Sequence, residues 1–306
     1  IKKEFPEAEF VDAKGGVIMP AFINTHEHIY SAMARGLSIK GYDPHDMTTY
    51  QDDSDLLTGI DEPLAGKKLF YIKEIVKGES YILLSSDDDE LMQVLDNFYS
   101  LLERLKTRGA EITEVSIDKA LLEAIYPTYM TISCAEATSN NSNLTGIAFG
   151  NRIAKDDVNS LITATRTEGF SELIKRRFVL GSYILQKENQ EKLYLNACRV
   201  RRLLVDKLTN LFKEYDSLIL PCSGGPAPKF DDDSDKLSDK YLLLENHMAL
   251  GNFGGFPSIT IPSGFVNNCP IGINLTSGIK EDKKVLNIAN EIEMLTGLKG
   301  QIGGEE

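Results

Sequence analysis

The stretch from Lys67 to Ile117 constrains the fold more than any other. Lys67–Lys73 (K-K-L-F-Y-I-K) is a short apolar run of strand length. Between Asp87 and Arg108 the apolar residues Leu91, Val94, Leu95, Phe98, Leu101, Leu102 and Leu105 recur at the helical period, which predicts an amphipathic helix. Ser86 or Asp87 can cap its start with a side-chain oxygen, and Gly109 can stop it. Ala110–Ile117 then alternates as a strand. Strand, helix, strand in this order predicts an α/β unit in which helices cover a sheet.

Further helices are expected over Ile117–Ser133, Asp156–Thr165, Phe170–Lys187 and Glu188–Tyr215, with a closing helix at Glu281–Leu295. Ser217–Pro221 (S-L-I-L-P) reads as a short buried strand, and Ser258–Ile261 and Gly272–Leu275 as central strands. At 306 residues and 42% hydrophobic, the chain can form one large α/β domain or two smaller ones. Residues 1–46 and 47–306 read as different material, separated by the polar, acidic stretch Asp43–Asp55. In the first part, Val11–Pro20 suggests a hairpin running into a buried strand, Ala21–Asn24. A first residue that is Ile rather than Met suggests that this part is a piece of something longer.

A formal charge of −13 disfavours direct, tight binding to a phosphate backbone, which calls for clustered Lys and Arg. Cys134, Cys198, Cys222 and Cys269 are far apart and form no C-x-x-C, so neither a structural zinc nor a disulfide framework is expected. No segment approaches the roughly 18 consecutive apolar residues of a membrane span, and the expected location is the cytoplasm. The run Asp231-Asp232-Asp233 reads as a solvated loop, since a metal site needs ligands converging from elsewhere as well.

Five motifs in a fixed order carry a family resemblance. They are L-A-G-K-K-L-F-Y-I-K-E at Leu64–Glu74, S-C-A-E-A-T-S-N followed by G-I-A-F-G within Ser133–Gly150, T-R-T-E-G-F-S-E-L-I-K-R-R-F-V-L-G at Thr165–Gly181, Leu218–Pro221, and N-F-G-G-F-P-S-I-T-I-P-S-G at Asn252–Gly264. From about Leu56 to Gly300 this order resembles the C-terminal half, or slightly more, of the amidase-signature family, in particular its aminoacyl-tRNA amidotransferase A subunits. The resemblance implies an α/β fold with a mixed β-sheet flanked by helices, incomplete on its N-terminal side. It implies hydrolysis of a glutamine amide, the ammonia amidating mischarged Glu-tRNA(Gln) or Asp-tRNA(Asn). The implied partners are a tRNA-binding B subunit and a small C subunit, with tRNA contacted indirectly. ATP and Mg would belong to the partner, leaving no cofactor in this chain.

In that family a serine nucleophile is activated through a second serine and a lysine in a Gly/Ser-rich loop, because a hydroxyl is a poor nucleophile until a base takes its proton. Gly224-Gly225 and Gly254-Gly255 are the only paired glycines between the junction and the tail, and neither adjoins the required serine pair. Ser85-Ser86 lacks flanking glycines. No catalytic residue is assigned, and no hydrolysis is expected of this chain alone. The residues left by the resemblance belong to the donor's side. Arg177, or its neighbour Arg176, stands where the family grips the donor carboxylate, a task suited to a guanidinium fork. Glu245 stands where relatives carry an aspartate for the donor's α-amino group. Ala148-Phe149 replaces a usual Arg-Tyr pair. Asn252–Pro257 is expected to pack around the pocket, its glycines allowing positive φ or close backbone approach.

Within Val11–Pro44, V-I-M-P-A-F-I-N-T-H-E-H resembles instead the metal-dependent amidohydrolases of the cytosine and guanine deaminase group. There a His-x-His pair holds a zinc that acidifies a bound water. His26 and His28, two apart on a strand, would face the same side. Only His45 and His247 remain to complete such a ligand set, and a (β/α)₈ barrel typically needs ~250 residues. An occupied site is not expected, and zinc enters only if this alternative holds. A third reading is a noncatalytic module that docks on the tRNA-binding partner.

Overall fold

The apolar run after Lys67 forms β1 (Lys68–Ile72), in which Leu69, Phe70 and Ile72 are fully buried. A strand covered on both faces needs apolar residues without alternation, as this one has. A short helix, α1 (Lys73–Val76), follows it. The computed structural model describes residues 56, 58–77, 87–148, 150–227 and 246–299. The chain divides into units Ile1–Tyr50 and Gln51–Glu306, and every described residue belongs to the second. The expectations for residues 1–46, Ser85-Ser86, Asp231–Asp233 and Glu245 lie outside the described residues.

The predicted helix is α2 (Asp88–Thr107), with Leu91, Val94, Leu95, Phe98, Leu101, Leu102 and Leu105 buried. Asp87 caps it, its carboxylate accepting from the backbone of Asp89 and Glu90, and three acidic residues in the first turn suit the positive end of the helix dipole. Gly109, at φ 89°, takes the left-handed turn into β2 (Glu111–Val115), which pairs in parallel with β1.

The helix expected over Ile117–Ser133 is two. A short α3 (Lys119–Glu123) ends at Ala124, and α4 (Ile125–Asn140) restarts there. Pro127 explains the restart: a proline fits within the first turn, where its missing N–H leaves no bond unmade, but not in a helix interior. Next come α5 (Val158–Gly169), α6 (Glu172–Ile184) and α7 (Lys187–Gln190). A π-helical turn (Glu191–Leu195) leads into α8 (Asn196–Leu211), breaking the single helix expected over Glu188–Tyr215. Leu193 and Tyr194 of that turn pack with Met130 and Cys134 of α4.

Strand β3 (Ser217–Pro221) is buried throughout and pairs in parallel with β1. A 3₁₀ turn (Asn246–Met248) opens α9 (Ala249–Gly254), and β4 (Ser258–Val266) and β5 (Cys269–Ser277) form an antiparallel hairpin. Both strands outrun the expected Ser258–Ile261 and Gly272–Leu275. The pairing passes through a bulge between Pro262 and Gly264, and the turn uses Asn267 and Asn268 at φ 52° and 61°. Two consecutive positive φ values match the right-handed twist of a two-residue hairpin. The sheet order is β2-β1-β3-β5-β4, so β3 is the middle strand, β5 lies inside the sheet, and β4, expected to be central, lies at the edge of the described sheet. The last helix, α10 (Asp282–Thr296), ends at Gly297 in the left-handed region.

Helices cover both faces. Tyr71 meets Phe98 of α2 edge-on at 5.8 Å between ring centroids, while Phe70 meets Phe212 and Tyr215, just beyond α8, at 5.7 and 5.1 Å. The α/β fold with a mixed sheet flanked by helices is therefore present, and one apolar core runs through it from Leu64 to Ile292.

Candidate functional site

The sequence places the strongest candidate, Arg177, on α6. Ser171 caps this helix, its hydroxyl facing the backbone N–H of Ile174 at 3.4 Å. Leu173, Ile174, Arg177, Phe178, Gly181 and Ile184 form its inward stripe, while Arg176, Val179, Leu180 and Tyr183 are exposed. The roughly 100° between consecutive helical residues separates the fates of the two arginines: Arg176 faces solvent and Arg177 is half-buried. The Nε of Arg177 is buried and has no hydrogen-bond partner among the described residues. Leaving a charged donor buried and unbonded costs more than the ~1–3 kcal/mol typical of a neutral one, so the position favours an anionic acceptor.

The inward stripe lies against α4 with almost no clearance. A Cβ on Gly181 would stand 2.1 Å from the Cys134 carbonyl oxygen and 2.1 Å from the Thr138 hydroxyl, so only glycine fits. Thr138 Oγ1 is 2.8 Å from the Cys134 carbonyl and 3.3 Å from the Phe178 carbonyl, joining the two helices beside Arg177.

Helix α5 fixes the segment that leads from α4. Buried Thr165 accepts from the backbone N–H of Ile153 at 3.0 Å. Gly146, at φ 77°, lies so close that an added Cβ would be 2.9 Å from the Thr165 side chain. Arg166 donates through one nitrogen to the carbonyls of Asn141 and Leu144, at 2.7 and 3.0 Å. Its guanidinium carbon stands 5.0 Å from the Phe170 ring centre and 5.3 Å from that of Phe178. These roles do not show in the sequence pattern, because the acceptors are backbone atoms up to 25 residues away.

Glu245 lies outside the described residues, but the turn after it is described. His247 in that turn is buried, and its Nε2 is 2.8 Å from the carbonyl of Pro221, anchoring the turn to the end of β3. Burial, partly offset by that bond, pushes its pKa down to about 4, so the ring is neutral and Nε2 donates. The other ring nitrogen, Nδ1, has no partner among the described residues. The paired glycines divide the roles expected of them. Gly255 takes a positive φ of 66°, and an added Cβ on Gly254 would stand 2.0 Å from the Phe256 ring.

Cys134 is fully buried, and burial pushes the Cys198 thiol up, opposite to the shift of a nucleophilic thiolate. Among the described residues no group of three His, Cys, Asp or Glu could hold a metal ion, and His26 and His28 lie outside those residues. No helix among the described residues is long and apolar enough to cross a membrane.

Helical layers on both faces of a mixed sheet, with one half-buried arginine among the apolar residues of an inward helix face, define an α/β protein with a three-layer arrangement. The chain belongs to the amidase family, whose model matches residues 65–286. It is 32% identical over 255 residues to the A subunit of the glutamyl-tRNA(Gln) amidotransferase of Pseudothermotoga lettingae, covering 83% of this chain and 52% of that protein. Its counterpart from Neisseria gonorrhoeae is 30% identical over 271 residues, covering 86% and 53%. The chain thus spans about half the length of the curated relatives it matches. Among solved structures, the Thermotoga maritima glutamyl-tRNA(Gln) amidotransferase A subunit superposes with a TM-score of 0.59 at 28% identity, over 83% of this chain and 48% of that one. The peptide amidase of Stenotrophomonas maltophilia, at 17% identity and a TM-score of 0.57 over 84% and 49%, shares the fold.

Proposed function

We propose that this chain supplies the amide-donor side of a glutamine-dependent aminoacyl-tRNA amidotransferase. In this reading Arg177 grips the α-carboxylate of glutamine, and Glu245 holds its α-amino group. The partners are a tRNA-binding B subunit and a small C subunit. The single observation that carries it is the buried, unbonded Nε of Arg177 on the inward face of α6. A carboxylate there would satisfy the donor and pair its charge, and a planar fork adds direction to the bond. The similarity to amidotransferase A subunits supports the choice of glutamine over other carboxylates.

The Ser-Ser-Lys machinery is assigned to none of these residues, so glutamine binding is expected without ammonia release. Isothermal titration of the purified chain with glutamine checks this. The expected result is saturable binding that Arg177→Met weakens by about 30-fold or more, equivalent to about 2 kcal/mol. Equal affinity in the variant would remove Arg177 from the site, and ammonia release would demand a further nucleophile. No observation favours the zinc-dependent alternative or the noncatalytic docking module.

A further inference from the structure

We propose that Arg166 is a positioning residue. It clamps the segment 141–153 to α6 and thereby fixes the direction in which Arg177 presents its guanidinium to an amino-acid carboxylate. The inference rests on the donor-site reading of Arg177 given above.

The geometry is that of a junction. Through one nitrogen Arg166 holds the carbonyl of Asn141, the residue that ends α4, and that of Leu144 one turn further on. Carbonyls at a helix C-terminus carry the negative end of the helix dipole, where a cation is favoured. The guanidinium carbon of the same side chain lies over the rings of Phe170, which caps the end of α5, and Phe178, which directly follows Arg177 on α6. The two rings meet edge-on, 4.9 Å between centroids at 88°, so each holds the other's orientation. A cation over aromatic rings is attracted by their negative faces.

Three elements therefore meet on one half-buried side chain. The backbone of Phe178 is held separately by Thr138, and the far end of the segment by Thr165 against Ile153 and Gly146. With its neighbour held on both ring and carbonyl, Arg177 has little freedom at its own backbone. Lysine could keep the charge of Arg166 but not the broad, delocalised group that reaches two carbonyls and two rings at once.

The test compares wild type with Arg166→Met and Arg166→Lys, using glutamine titration and the ¹⁵N NMR signal of the Arg177 Nε–H, assigned by its loss in Arg177→Lys. Hydrogen exchange of the backbone amides in 142–148 and in β3 is measured alongside. In Arg166→Met the Arg177 signal is expected to shift or broaden and glutamine affinity to fall about 10-fold. Exchange in 142–148 should accelerate while β3 exchanges as in wild type. Arg166→Lys should fall between the two. An Arg177 signal and glutamine affinity unchanged in Arg166→Met would overturn the proposal, as would equal acceleration in β3, which marks general loss of stability. If wild type binds no glutamine, the donor-site reading fails, and the ligand-free Arg177 signal decides the clamp: displaced in Arg166→Met it stands, unmoved it falls.

Discussion

The sheet with α2 and the trio of α4, α5 and α6 are built on different principles. Around the sheet, large apolar side chains interlock: Phe98 is fully buried and sits 5.8 Å from the Tyr71 ring and 5.4 Å from that of Tyr99. In the trio single atoms decide the geometry: a missing Cβ at Gly181, one hydroxyl at Thr138, one guanidinium at Arg166. The first arrangement spreads its stabilisation over many weak contacts and accepts similar shapes. The second concentrates it in directed bonds and accepts few. A ligand that must be held at a fixed angle is better served by the second kind, and that is where Arg177 stands.

The comparison can be broken where the expected effect is largest. Phe98→Ala removes a fully buried ring and should lower unfolding free energy by about 3–5 kcal/mol in urea, leaving the Arg177 Nε–H signal in place. The chain has no tryptophan, so tyrosine fluorescence and circular dichroism are the appropriate probes. A displaced Arg177 signal would mean that the two regions are not separable.

Next is the pH response of the turn at His247. Its pKa is lowered in the folded chain to about 4, against an ordinary value of 6.5, so the unfolded chain binds the extra proton between those limits. Stability is then fully present above about pH 6.5 and is lost as pH falls toward 4, by roughly 3 kcal/mol at most. His247→Gln can keep the bond to Pro221 and should flatten that part of the pH profile. An unchanged slope would assign the loss to other groups.

The smallest expected effect on stability, and the most local, is that of Gly181→Ala. Its new Cβ must push α4 and α6 apart, at a cost of about 1–3 kcal/mol. Glutamine affinity should fall in this variant, whereas Phe98→Ala should spare it. If affinity survives, close contact of the two helices is not what holds Arg177 in place.

The contrast also explains what the sequence makes legible. The boundaries of α2 follow from a repeated apolar period and a capping aspartate, signals local to the helix. The hairpin is under-read at both ends because Pro262 and Gly264 interrupt the strand pattern at a bulge, although Asn267-Asn268 between apolar runs is a usable turn signal. Pro127 could likewise have divided the helix expected over Ile117–Ser133. Arg177 comes from the family resemblance, and its advantage over Arg176 from which side of α6 each occupies. The role of Arg166 has no pattern to betray it, since a carbonyl acceptor looks the same at every residue.

The contact at Gly181 has a mechanical side. Where two helices touch through side chains, a small displacement of one is absorbed by rotamers and need not reach the other. Here the backbone of Gly181 lies against the Cys134 carbonyl, and the short Thr138 side chain beside it leaves little to act as a spring. A displacement of α4 at this contact must therefore move the backbone of α6 with it, and the Cα of Arg177 stands one turn from that point.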